Sequence, residues 1–253
     1  MADPGMVAVV REGGLLLGGG RAILLQVAHA PVGRGVAEHS EFASRQLNRL
    51  RATMTYLYGV TYGSPAARAR IAADVTALHR DVHGPGYDAL DPRLQVWVAA
   101  TLYDTGLLLY QRWFGPLTEL AAERIYRDYR VLGTTLQMSP ELWPANRAEF
   151  REYWQDMLAM IVVGEPARQV CRDLLFPRRL PAVLRPAMPL HRLVTAGLLP
   201  ARIRDDYGLP WNAGRQRRFE VFMSATAAAY PRIPRAIRVF PSDYYFGRRA
   251  VSG

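Results

Sequence analysis

LHRDVHGPGYDALDPRLQVWV, residues 78–98, reads as the end of one helix, a break and the start of another. Gly84-Pro85-Gly86 cannot continue a helix, and Asp91-Pro92 is a side-chain cap followed by a proline whose missing N–H costs nothing in a first turn. Strand signals are nearly absent along the chain.

The same punctuation recurs on both sides. Upstream, apolar residues at helical spacing occupy 21–36 and 45–62, and Ser64-Pro65 opens a helix running to about His83. Downstream, the Asp91-Pro92 helix runs to Phe114 and stops at Gly115-Pro116, and Thr118 caps a helix to Gly133. Asn146 with Glu149 makes a capping box for a helix to Val162, and Gly164-Glu165-Pro166 opens another ending at Phe176-Pro177. Residues 177–189, rich in proline and arginine, read as a loop; shorter helices follow at 190–198, 200–206 and 212–230. From Pro231 the chain is basic and aromatic and reads as an irregular tail. The expectation is an all-α fold of about eight to ten helices in a single domain spanning 1–253.

Composition narrows the chemistry. The formal charge is +10, yet all 32 basic residues are arginine and they are spread along the chain, so the sequence does not read as a nucleic-acid binder. With no lysine, Schiff-base, pyridoxal and P-loop lysine chemistry are excluded. The one cysteine, Cys171, sits in an apolar helical pattern and reads as a small core residue; it provides no disulfide and no cysteine zinc site. The first residues carry no basic region of a secretory signal, and no apolar run approaches the roughly 20 residues of a membrane span. A cytoplasmic protein with no membrane span is expected.

The histidines are the chemical question. His79 and His83 are four apart on one helix face, but Arg80 stands where a zinc protease needs glutamate, and no third ligand is evident. His83, just before Gly84, reads as a helix C-terminal residue complementing the dipole. His79, beside apolar Leu78, Val82 and Val75, reads as either a satisfied core histidine or an iron ligand. His39 stands between Glu38 and Glu41, a cluster suited to proton transfer or to a solvated helix end.

Four segments, taken in order, carry a resemblance. LLLGGGRAILLQVAHAPVGRGVAEHSEF, NRLRATMTYLYGVTYG, the His79-x-x-Val82-x-Gly84 element with YDALDPRLQVWVAATLYD, and LVTAGLLPARIRDDYGLPW resemble the MpaB and rubber-oxygenase (latex clearing protein) family over about 13–211. The resemblance implies a globin-like helical core around a non-covalent haem b, with His79 as proximal iron ligand. Arg49 and Thr53 match the distal Arg-x-x-Lys-Thr element of rubber oxygenases, but Ala52 replaces its lysine. Where many relatives carry histidine after Trp97-Val98, this chain has Ala99.

What the resemblance implies for function is a haem-dependent oxygenase or oxidase. It would use dioxygen or peroxide to hydroxylate, dehydrogenate or oxidatively cleave a hydrophobic small molecule, as a tailoring step of secondary metabolism, with an electron donor as a further partner. His79 would hold the iron; Arg49 and Thr53 would be distal polar groups; His39 or Glu41 would relay protons; Val82, Val98, Leu102 and Tyr103 would line the haem or substrate pocket. The competing expectation is a haem-binding sensor, carrier or electron-transfer protein without turnover.

Overall fold

The computed structural model describes residues 4–39, 42–177 and 180–250, and within these not the side chains of 42–49, 243 and 245–250. The chain opens with α1 (Met6–Val10) and a 3₁₀ segment, Gly13–Gly18, then α2 (Gly19–Ala28), α3 (Ala30–His39), α4 (Phe42–Tyr62) and α5 (Pro65–Arg80). A two-residue antiparallel pair, β1 (His83–Gly84) and β2 (Tyr87–Asp88), leads into α6 (Pro92–Phe114). There follow α7 (Glu119–Tyr129), α8 (Val131–Thr134), α9 (Arg147–Met160), α10 (Glu165–Leu175), α11 (Met188–Leu198), α12 (Ala201–Asp206), α13 (Ala213–Ala229) and α14 (Arg235–Ala250). The protein is all-α.

The caps read from the sequence form as the physics requires. The Ser64 hydroxyl accepts from the Ala67 N–H, the Asp91 carboxylate from Arg93, Thr118 from Ala121, and Asn146 from Ala148 and Glu149. Gly115 ends α6 at φ 86°, where a Cβ would clash with its own backbone.

α6 is the axle. Buried residues occur all around its circumference, including Val96, Trp97, Ala100, Tyr103 and Leu107. Most of its length sits in the main core, built with α1, α2, α4, α7, α9 and α10. Its C-terminal end, Leu109 and Trp113, enters a second core with Val194, Leu198, Phe219 and Met223 of α11 and α13. Arg21 bolts these layers together: buried, it donates to the Leu198 carbonyl at 2.8 Å, to Thr105 Oγ1 at 2.5 Å and to Asp104 at 2.5 Å.

Three expectations change. The helix expected over 21–36 is two helices that turn by 106° at His29, where extended ψ at that residue and Pro31 after it break the ladder. His83 does not close a helix: α5 ends at Arg80 with Asp81 as its cap, and exposed His83 pairs in β1 with Asp88. The tail from 231 is not irregular. It forms α14, held by the buried Arg238–Glu12 ion pair at 2.6 Å and by Pro241 seated against Gly13, whose missing Cβ makes the space.

Candidate functional site

Three of the residues singled out from the sequence, His79, Val82 and His39, lie at one corner of the molecule, where α3 crosses the turn between α5 and α6. His79 lies in the last turn of α5, with its carbonyl accepting from the Val82 N–H at 2.9 Å. The chain then folds back, Ala89 donating to the Val82 carbonyl at 2.9 Å, so the short hairpin clasps the segment after His79. Gly86 at φ 78° makes the reversal possible.

α3 lies directly on this hairpin because Gly35 has no side chain. A Cβ there would come within 3.3 Å of Tyr87 Cδ2 and 3.4 Å of Val82 Cγ1. The approach brings the end of α3 onto Tyr87, which is buried. Tyr87 Oη donates to Glu38 Oε2 at 2.6 Å and lies 2.8 Å from His39 Nε2, from which it accepts when that nitrogen carries the proton. The Glu38 carboxylate holds the phenol above its ordinary pKa, since ionising it would place two anions together. Arg34 clamps the same turn through the Pro85 and Gly86 carbonyls and lies over the Tyr87 ring.

On the other side of His79, Thr76 Oγ1 accepts from Gln137, which exchanges two hydrogen bonds with Gln95 of α6. The histidine-bearing turn is thus fixed to both α3 and α6. His79 Nδ1 is shielded from solvent while the residue as a whole is half-buried.

The remaining expected residues divide. Val82 joins the corner, and Val98 and Leu102 lie half-buried on one side of α6. Tyr103 is about 140° round the helix from Val98, and it sits in an aromatic cluster with Tyr126, Tyr129, Trp143 and Phe150. That cluster is main core, and burial pushes the Tyr103 phenol up to about 12. Thr53 is exposed on α4. Glu41 and the Arg49 side chain lie outside the described residues. Ala99 is buried in the main core. Burial likewise pushes the Cys171 thiol up to about 12, as expected of a small core residue.

Sequence reasoning missed Tyr87, Arg34 and the Gln95–Gln137 pair. A tyrosine just past a Gly-Pro-Gly turn was the available signal for the first; the others depend on tertiary contact.

Residues 7–228 match the catalytic domain described as ER-bound oxygenase mpaB/B'/rubber oxygenase. The chain belongs to this family. Among relatives of the mpaB/rubber-oxygenase domain, uncharacterized proteins of Mycobacterium bovis and Mycobacterium tuberculosis are each 34% identical over 233 residues, covering 88% of this chain and 91% of theirs. No solved structure matches it significantly.

The haem expected from the sequence resemblance can be set against the chemistry of the residues at this corner. Among the described residues no three His, Cys, Asp or Glu side chains converge to hold a bare metal ion. Iron held by a porphyrin needs only one protein ligand, and His79, on a helix turn beside apolar Val75 and Val82 with its Nδ1 edge shielded, has the required chemistry.

Proposed function

We propose that this protein is a haem-dependent oxygenase or oxidase that uses dioxygen or peroxide to oxidise a hydrophobic small molecule in secondary metabolism. The observation that carries the reading is the match of residues 7–228 to an oxygenase catalytic domain.

His79 would hold a haem b, and the bound haem would supply the oxidising chemistry. The protein's own work is to orient, exclude water and move protons. The turn that carries His79 is bonded on both sides, which fixes the backbone from which its imidazole projects. Val98 and Leu102 offer half-buried apolar surface to a hydrophobic substrate. The His39–Tyr87–Glu38 chain can carry a proton: as His39 Nε2 gives one to Tyr87 Oη, Tyr87 passes its own to Glu38 Oε2. Arg49 and Thr53 of α4 are assigned as distal polar groups. With Ala52 in place of lysine, no lysine stands there to compete for the iron.

The test is spectroscopic first. Protein produced with haem available should show a Soret band, and His79→Ala should lose it or shift it. A colourless wild type after haem supplementation would sink the assignment. Turnover of a prenyl-type probe with dioxygen and a reductant, or with peroxide, then separates an enzyme from a haem carrier.

A further inference from the structure

Tyr56, Tyr126 and Tyr207 donate their hydroxyl protons to main-chain carbonyls, of Leu132, Pro144 and Leu24. A carbonyl accepts such a hydrogen bond but is no base for the proton itself. Tyr230 donates to Glu12, whose carboxylate is already paired with Arg238 at 2.6 Å. Tyr87 is placed differently. Its Oη lies 2.6 Å from the Glu38 carboxylate and 2.8 Å from His39 Nε2, so one group can take the phenolic proton while the other donates to the oxygen left behind.

This setting suits the loss of an electron together with that proton. A phenol that has lost an electron is a strong acid, and the Arg34 guanidinium, 5.7 Å over the Tyr87 ring, further disfavours a positively charged ring. The electron therefore leaves as the proton passes to Glu38. The ring is buried, which shields a phenoxyl radical, while Glu38 and His39 are exposed and can exchange the proton with water. Tyr87 also stands beside the segment that follows His79. A Cβ on Gly35 would touch both the Tyr87 ring and Val82, and the Val82 N–H donates to the His79 carbonyl.

We propose that Tyr87 is a redox-active tyrosine, which gives one electron to the peroxide-oxidised haem and one proton to Glu38 when no substrate takes the oxidising equivalent. The inference rests on the haem reading above. In the step the Tyr87 O–H bond breaks, the haem is reduced by one electron, Glu38 becomes a carboxylic acid, and the neutral phenoxyl oxygen accepts from His39 Nε2–H. A one-electron reductant such as ascorbate restores the phenol, with the proton returning from Glu38. The test is to mix the haem-loaded chain with hydrogen peroxide, freeze it and record its electron paramagnetic resonance. Wild type should show a tyrosyl radical, and Tyr87→Phe should lose that signal while keeping its Soret band. Glu38→Gln, at an exposed position, keeps an oxygen for the hydrogen bond but is no base, and should cut the signal about tenfold or more. Tyr230→Phe, which removes the other carboxylate-bound phenol, should leave the signal in place. A chain without a Soret band would sink the haem reading and this inference with it. With the band present, an absent radical, a signal that survives Tyr87→Phe, one indifferent to Glu38→Gln, or one lost in Tyr230→Phe would overturn this inference and leave the haem reading standing.

Discussion

Thr195 is wholly buried in α11, and its Oγ1 has no hydrogen-bond partner among the described residues. A buried hydroxyl without a partner carries its desolvation cost uncompensated, so Thr195→Val, the same shape without the oxygen, should raise stability by about 1 kcal/mol in chemical denaturation. Arg21 is the opposite case. Each of its three groups of donors is used, and Arg21→Met would strip the half-buried Asp104 of its counter-charge, at a cost on the order of 3 kcal/mol. Nothing local in GGGRAILL announces this residue, because its partners come from Asp104, Thr105 and Leu198. Tyr87→Phe keeps the packing against Gly35 and removes the bridge between His39 and Glu38. If the chain relays protons, the variant should keep its Soret band and lose turnover by about tenfold or more.

At the level of elements, Asp91→Ala should destabilise by about 1 kcal/mol through loss of the α6 cap, measurable as a fall in melting temperature. That cap, like those at Ser64, Thr118 and Asn146, was legible because capping is local: the residue that signals the start also makes the bond. His79 and His39 stood out for the same reason, each in a short readable pattern, and the structure places both at the corner where α3 meets the hairpin. Elements set by distant contacts were not. α14 contains Pro241 and begins after two prolines, which locally argue against a helix; it forms because Glu12 and Gly13, more than two hundred residues away, receive it. The break at His29 was hidden similarly, since the apolar spacing continues through it and only the packing of α3 on α10 and the hairpin demands the turn.

For the molecule as a whole, two half-buried histidines contribute to the response to acid. Burial lowers the pKa of His29 and of His191, the latter helped by Arg192. The unfolded chain binds protons below the ordinary histidine value of about 6.5 while the folded chain resists them, so stability is full above that pH and falls as pH drops through it. Melting temperature should therefore decline from pH 7 towards pH 5, and His191→Gln should flatten the decline. No single described helix is long and apolar enough to cross a membrane. The bonds that join the two ends of the chain have one more consequence. Tyr207 reaches the Leu24 carbonyl, Arg21 the Leu198 carbonyl, and Tyr230 the Glu12 carboxylate. During synthesis the first helices thus emerge with their partners still untranslated, exposing α2 until nearly the whole chain has left the ribosome. The packing of α2 therefore closes late in folding, after the loop entropy of joining distant parts of the chain has been met.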